Sequence, residues 1–122
     1  MMARAAIESV LERYFDALYQ SDAKGMDAVL HPSAVYATAD EVPPLIRTKS
    51  EYLPVLAARP SPASQGIVRD DHVDHVEMAG ENTAFAKVRC TIGSRDFVDY
   101  LTLIRVEGHW RIISKIFQIK ER

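Results

Sequence analysis

The second half of the chain reads as one uninterrupted series of β-strands, and this constrains the fold more than any other feature. Four β-rich runs follow Gly66, separated by short turns that suit hairpins: residues 68–78, 82–92, 96–106 and 110–120. No helical pattern lies between them. The runs are therefore predicted to form an antiparallel meander rather than βαβ units.

The first half of the chain is predicted to be mainly helical. Ser21 and Asp22 offer an N-cap for a second helix over residues 23–30, which the dipeptide His31-Pro32 would end. In the first helix, apolar residues recur at the three- and four-residue spacing of one helix face. These apolar positions are Ile7, Val10, Leu11, Tyr14, Phe15 and Leu18.

A strand and a third helix are predicted between the helical hairpin and the meander. Residues 34–38 are short and β-rich, which predicts a strand. Residues 41–47 contain two consecutive prolines and are predicted as a loop or an edge strand, because proline lacks the N–H that a central strand donates. Thr48-x-x-Glu51 matches a capping box and begins a helix over residues 50–58.

This order of elements predicts an α+β protein, with three N-terminal helices packed on one face of a mainly antiparallel sheet. A length of 122 residues fits a single domain, residues 1–122. The net charge of −2 and scattered basic residues argue against a nucleic-acid partner. No apolar run approaches the ~20 residues of a membrane span, and charges within the first helix argue against a signal peptide. A cytoplasmic protein is therefore expected.

Two of the predicted strands are apolar on both faces. In the fourth run, strict alternation would place Trp110 and Ile112 opposite Phe117. The helices can cover only one face of such a sheet. We therefore expect a homodimer that pairs through the sheet, with a thick core as the alternative. The third run carries apolar residues at both odd and even positions: Phe97, Val98, Leu101, Leu103, Ile104 and Val106.

The sequence resembles the nuclear transport factor 2-like superfamily, and within it the lumazine-binding-like branch. Three segments carry the resemblance: YFDALYQSD (residues 14–22), ARPSP (58–62) and FVDYLTLIRVEGHWRIISKIF (97–117). The resemblance covers nearly the whole chain. It implies a cone-shaped fold in which a curved sheet wraps the first helix and leaves a small-ligand cavity. The superfamily includes isomerases, dehydratases, SnoaL-like polyketide cyclases and non-enzymatic adaptors, so the fold does not imply one activity.

The resemblance also suggests where catalytic residues would lie. Ketosteroid isomerases of this superfamily use a carboxylate base, a tyrosine and a protonated aspartic acid that together stabilise an enolate. By resemblance, Tyr14 falls near the tyrosine, Thr38 near the base and Thr102 near the second acid. Two of the three positions depart from the pattern, so ketosteroid isomerase activity itself is not expected. Asp40, two residues after Thr38, is the candidate general base, with a solvated loop carboxylate as the alternative.

Lys115 and Asp99 stand out as charges within otherwise apolar strands, where an unpaired ion is costly. They are expected to pair across strands, or to face the cavity or the dimer seam. Alternation predicts that Tyr100, Thr102 and Lys115 face the cavity while Asp99 points away. The candidate catalytic residues are Tyr14, Asp40 and Lys115. The candidate ligand-binding residues are Tyr36, Thr38, Arg89, Tyr100, Thr102 and Phe117.

Several candidates have structural alternatives: Tyr14 could simply pack in the core, and Arg89 could lie on the surface. His72 and His75 have acidic neighbours, but alternation on a strand would point them to opposite faces, so no metal site is predicted. No cofactor motif is present, and none is expected. The predicted function is a pocket for a small apolar molecule, with cofactor-free acid–base catalysis of the isomerase, dehydratase or cyclase type. The alternative is a non-catalytic ligand-binding or dimeric assembly module.

Overall fold

All three predicted helices are present in the computed structural model, which describes residues 3–121. Helix α1 spans Ala3–Gln20, α2 spans Ala23–Val29 and α3 spans Lys49–Ala58. Asp22 caps α2, because its side chain accepts a hydrogen bond from the backbone N–H of Gly25 at 3.0 Å. No helix within residues 3–121 is long and apolar enough to cross a membrane.

Two sequence signals in the helical half are confirmed, the capping box of α3 and the apolar face of α1. Thr48 begins α3 with a complete capping box: its Oγ1 accepts the N–H of Glu51 at 3.2 Å, and Glu51 Oε1 accepts the N–H of Thr48 at 2.9 Å. On α1, the predicted apolar face is buried. Its buried residues are Ile7, Val10, Leu11, Tyr14, Phe15, Ala17 and Leu18.

Six strands form one mixed sheet in the order β2-β1-β6-β5-β4-β3. Only β1 and β6 pair in parallel, and the other four pairings are antiparallel. The predicted α+β class, with three helices on a mainly antiparallel sheet, is therefore confirmed. The strands are β1 Leu30–Thr38, β2 Leu45–Thr48, β3 Asp71–Ala79, β4 Thr83–Ile92, β5 Arg95–Val106 and β6 His109–Glu121.

The first strand begins earlier than predicted. β1 starts at Leu30 rather than Ala34, so it follows α2 directly and contains Pro32. The strand tolerates this proline because its pairing with β6 shifts register between Leu30 and Val35, where no regular ladder needs an N–H donor. The segment after β1 contributes the edge strand β2, which is one of the two alternatives predicted for it.

A β-bulge in β6 overturns the strict alternation predicted for this strand. Ser114 pairs with Thr102 and Ile112 pairs with the next residue, Leu103, so Ile113 is an extra residue. An extra residue reverses which face the following side chains occupy. Phe117 therefore lies on the same buried face as Ile112, not opposite it.

The helices cover one face of the sheet, and the other face is open as far as residues 3–121 are concerned. The covered face of β4 carries Ala84, Ala86, Val88 and Cys90, all buried in one continuous core with the helices. We call the opposite side the outer face. It presents an apolar patch in which Tyr100 is 50% and Ile116 is 48% exposed, with half-buried Phe85 and Val98 beside them.

Candidate ligand-binding cleft

An open cleft of about 580 Å³ lies where α3, the ends of β1 and β6 and the loop after α3 meet. Its wall includes the aromatic side chains of Tyr36, Phe97 and Phe117, with aliphatic side chains such as Leu18 and Ile119. Tyr36 and Phe117 are in contact, with ring centroids 4.8 Å apart. A concave, mainly apolar space of this volume is typical of small-molecule sites.

The rim of the cleft is charged. Arg47 from β2, Arg59 at the end of α3 and Arg95 at the start of β5 line it, together with the single acid Glu41. Arg47 lies over the ring of Tyr36, with its guanidinium carbon 5.9 Å from the ring centroid. The rim therefore combines positive charge with flat aromatic surface.

Beneath the cleft lie Tyr14, Asp99 and Lys115, which we call the buried charge cluster. Asp99 is 0% exposed, and its Oδ2 accepts a 2.6 Å hydrogen bond from the Tyr14 hydroxyl. Lys115 Nζ lies 3.9 Å from the same oxygen and forms an ion pair. Burial, and next the negative charge of Asp99, raise the pKa of Tyr14 well above its ordinary value, so the phenol remains a donor.

Lys115 keeps its charge in an aromatic environment. Its Nζ lies 5.2 Å from the ring centroid of Tyr14, 5.3 Å from that of Tyr36 and 5.1 Å from that of Phe117. Burial by itself lowers the pKa of Lys115. The negative charge of Asp99, and then Tyr52 and Tyr36, raise it by more than this, so the pKa lies above the ordinary lysine value. Lys115 is therefore an ammonium ion, not a free amine.

Two polar atoms near this cluster are buried without a hydrogen-bond partner among residues 3–121. They are Oδ1 of Asp99 and the hydroxyl of Tyr52. Tyr36 stacks on Tyr52 at 4.3 Å between ring centroids, and Tyr36 also lines the cleft. The aromatic side chains of Tyr36 and Phe117 thus separate the unpartnered oxygens from the cleft.

Four predicted site residues come together here: Tyr14, Lys115, Tyr36 and Phe117. Asp40 and Thr38 lie at the end of β1 and are engaged with the backbone. Thr38 Oγ1 accepts the N–H of Asp40 at 3.1 Å, and Asp40 Oδ2 accepts the N–H of Ile119 at 2.9 Å. Asp40 therefore joins the end of β1 to β6, beside the cleft that Ile119 lines.

The predicted orientation of Tyr100, Thr102 and Asp99 was wrong. Asp99 pairs with Val88 on one side and Phe117 on the other, both buried, so its side chain faces the helices. Neighbours on a strand alternate, and Tyr100 and Thr102 consequently lie on the outer face.

Arg89 also lies on the outer face, away from the cleft. Its Nε donates a 2.6 Å bond to Oδ2 of Asp74, and Nη2 donates to Oδ1 at 3.0 Å. This arrangement matches the surface alternative for Arg89. The hydrogen bonds with Arg89 also hold the pKa of Asp74 below its ordinary value.

Asp99 is the buried acid of β5, three positions before Thr102. The sequence carried a signal for it, a charge within an apolar strand. The rim arginines were missed altogether. Arg59 and Arg95 lie in or beside loops, where no periodicity indicates the direction of a side chain.

The two strand histidines lie on the same face, contrary to the alternation argument. A bulge between Val73 and His75 leaves His72 opposite Arg89 and His75 opposite Lys87, and these partners are two residues apart. Each histidine contacts its own acid, His72 with Asp70 at 2.6 Å and His75 with Glu77 at 3.1 Å. Within the described part of the chain, no three His, Cys, Asp or Glu side chains are grouped to hold a metal ion.

The family can now be assigned. Residues 2–118 match the model of a family described as "Putative lumazine-binding". The chain belongs to this family. The match confirms the lumazine-binding-like branch, and membership supports a small-ligand-binding fold. Comparison of the sequence with curated proteins finds no match.

Solved structures confirm the cone-shaped, nuclear transport factor 2-like fold of this lumazine-binding family member. An NTF2-like protein of unknown function from Silicibacter pomeroyi is 21% identical, with a TM-score of 0.82 over 98% of this chain and 100% of that chain. One from Shewanella baltica is 22% identical, with a TM-score of 0.82 over 98% and 94%. A ketosteroid isomerase-like protein from Erwinia carotovora atroseptica is 14% identical, with a TM-score of 0.77 over 97% and 96%. At these identities the likeness concerns the fold alone.

Proposed function

We propose that residues 1–122 act as one cytoplasmic ligand-binding domain that holds a small, flat organic molecule in the cleft. The observation that carries this proposal is the open space of about 580 Å³ with Tyr36, Phe97 and Phe117 in its wall. Aromatic rings offer flat apolar surfaces that stack on other flat rings. The family description favours the same class of ligand, because lumazine is a flat, fused heteroaromatic molecule.

Calorimetric titration with lumazine and a panel of bicyclic aromatic compounds tests the proposal. We expect at least one compound to bind, and Phe117→Ala to weaken it by ~10-fold, as the loss of a stacked ring implies. Phe117→Leu retains most of the buried volume but has no ring. It should also weaken binding, and because it disturbs the core less, it separates loss of stacking from misfolding. Phe85→Ala removes the same kind of side chain from the outer face, outside the cleft, and should leave the affinity for the compound unchanged. Failure of every compound to bind, or equal effects of the two alanine variants, contradicts the proposal.

A second candidate function is acid–base catalysis by the buried charge cluster. It is supported by Asp99 Oδ1, a buried carboxylate oxygen without a partner in residues 3–121. Once a ligand displaces Tyr36 or Phe117, Asp99 would accept a proton from a carbon acid and return it to the same ligand, while Tyr14 remains a hydrogen-bond donor. The ion pair with Lys115 distinguishes this arrangement from a ketosteroid isomerase, whose second acid is neutral.

Hydrogen–deuterium exchange of a bound ketone in heavy water, followed by NMR, tests for this catalysis. We expect Asp99→Asn to abolish exchange, because an amide keeps the acceptor for Tyr14 but cannot take up a proton. Lys115→Met should slow exchange as well. Asp40→Asn tests the base predicted at the mouth of the cleft. Exchange that depends on Asp40 and not on Asp99 would identify Asp40, at the end of β1, as the base. Absence of exchange would contradict catalysis and favour a protein that only binds its ligand.

For the assembly, we propose that a second copy of the chain covers the outer face. Phe85, Val98, Tyr100 and Ile116 form an apolar patch that two copies can bury around a two-fold axis; Lys87 and Arg89 border it on β4, and Asp74 neutralises Arg89. Light scattering should give the mass of two chains. Tyr100→Glu should give single chains, whereas Val42→Glu, at a fully exposed position outside the patch, should not. A wild-type protein with the mass of one chain contradicts the proposal.

A further inference from the structure

Positive charge on the rim exceeds what the chain itself neutralises. Arg95 is engaged, with Nε 2.6 Å from Glu121 and Nη2 3.7 Å from Glu41. Arg47 and Arg59 differ from it, because no carboxylate of residues 3–121 lies within 4.0 Å of either guanidinium in an ion pair. Two guanidinium groups thus line the same cleft without an ion-paired carboxylate among residues 3–121, although the charge of Arg47 also helps to lower the pKa of Glu51.

Both arginines are placed to act on a molecule inside the cleft. Arg47 is half-buried over the ring of Tyr36, so its charge lies beside the aromatic wall. Arg59 follows α3, and its charge reaches the buried hydroxyl of Tyr52, where it lowers the pKa that burial raises. They approach from β2 and the end of α3, on separate elements, and a ligand packed against Tyr36 and Phe117 would lie within the field of both.

We propose that the ligand of the cleft is a flat aromatic carboxylate, whose anionic group binds Arg47 and Arg59 while its ring packs against Tyr36 and Phe117. This inference rests on the proposed function, since it names the chemical class of the ligand for the same cleft. A guanidinium group presents paired N–H donors that match the two oxygens of a carboxylate. A neutral ligand of the same shape would leave both charges unpartnered.

The test compares 1-naphthoate with its neutral isostere 1-naphthamide by calorimetric titration of the whole protein. We expect naphthoate to bind ~10-fold more tightly than the amide at low salt. Raising the ionic strength should weaken naphthoate and leave the amide unaffected, because screening acts only on the charged compound. Arg47→Gln and Arg59→Gln should each weaken naphthoate about 5-fold and leave the amide unchanged. Arg111→Gln, which removes the same charge at the far end of β6, should alter neither affinity.

The possible failures are distinguishable. Equal affinity for naphthoate and naphthamide in the wild-type protein overturns the carboxylate assignment but leaves the cleft as a ligand site. A preference for naphthoate that persists in the Arg47→Gln/Arg59→Gln double variant also overturns it, because the charge would then be recognised elsewhere. Binding of neither compound, together with failure of the neutral panel above, overturns the proposed function and this inference with it.

Discussion

Lys115 and Asp99 place opposite charges among side chains that are otherwise aromatic or aliphatic. Taking two ions out of water costs several kcal/mol per ion, and their attraction at 3.9 Å offsets part of this cost. The Tyr14 hydroxyl offsets more by donating to Asp99, and three aromatic rings face the ammonium group. The pair therefore depends on all its neighbours, and removal of one partner is more damaging than removal of both.

We expect Lys115→Met to lower the free energy of unfolding by about 3–5 kcal/mol at pH 7, because the carboxylate of Asp99 remains buried without its counter-ion. The double variant Asp99→Asn/Lys115→Met should lose much less, since it buries no charge and retains an acceptor for Tyr14. Urea denaturation monitored by circular dichroism measures both. A single variant as stable as the double would contradict the prediction, because the buried carboxylate of Asp99 would then cost nothing without its counter-ion.

At the scale of elements, α3 links a local signal to the cleft. Its capping box at Thr48 and Glu51 fixes where the helix begins, and the helix contributes Val55 to the cleft wall and Tyr52 beside Lys115. The backbone hydrogen bond with Thr48 also holds the pKa of Glu51 below its ordinary value. Loss of the cap should therefore also disturb the cleft wall to which α3 contributes.

We expect Thr48→Ala to lower the free energy of unfolding by about 1 kcal/mol, because the N–H of Glu51 loses its acceptor. Thr48→Ser retains the hydroxyl and should remain close to wild type. Since the pKa of Glu51 is lowered by the cap, the stabilisation is present above its unfolded pKa near 4.5 and is lost as pH falls below it. Because Thr48→Ala keeps the N–H that Glu51 accepts, the pH dependence is tested with Glu51→Gln, which cannot titrate. Urea denaturation of the wild type and Glu51→Gln at pH 7 and pH 3.5 would check it, and a difference between the two proteins of equal size at both pH values would contradict it.

The meander also shows where sequence patterns stop being informative. In β4 strict alternation holds, with Ala84, Ala86, Val88 and Cys90 all on the covered face, because the pairing with β5 is regular throughout. In β6 the same argument failed beyond Ile112, since a bulge adds one residue and reverses the faces. A bulge has no reliable sequence signal, so the side on which Lys115 lies could not be predicted from alternation alone. The positions of the rim arginines at one cleft depend on how β2, the end of α3 and the start of β5 meet in space, which no local sequence pattern encodes.

Across the whole molecule, several buried groups hold their protons more tightly than usual. Burial, and then the charge of Asp99, raise the pKa of Cys90 to about 12 from 9.0, and burial likewise raises the pKa values of Tyr14 and Tyr52. A raised pKa means that the folded state retains a proton which the unfolded state releases. The stability that each such group contributes is therefore fully present below its unfolded pKa, and it is lost as pH rises from there toward the folded pKa.

For Cys90 the loss begins near pH 9, before the tyrosines titrate in the unfolded chain at about pH 10. We expect the Cys90 thiol alone to lower the free energy of unfolding of the wild-type protein by about 1.4 kcal/mol between pH 8 and pH 10. Cys90→Ala fits a strand face already built of alanines and should lose much less over that range, whatever its stability at pH 7. Urea denaturation at several pH values measures both, and parallel declines would contradict the assignment to Cys90.

Because β1 pairs in parallel with β6, the first strand of the chain cannot complete its pairing until the last strand has been synthesised. Val35 lies beside Ser114, so the strand that follows the helical hairpin waits for the last strand to leave the ribosome before its ladder can close. Until then the apolar stripe of α1 has only β3, β4 and β5 to cover it, and nascent chains halted before residue 109 should attract chaperones that recognise exposed hydrophobic surface.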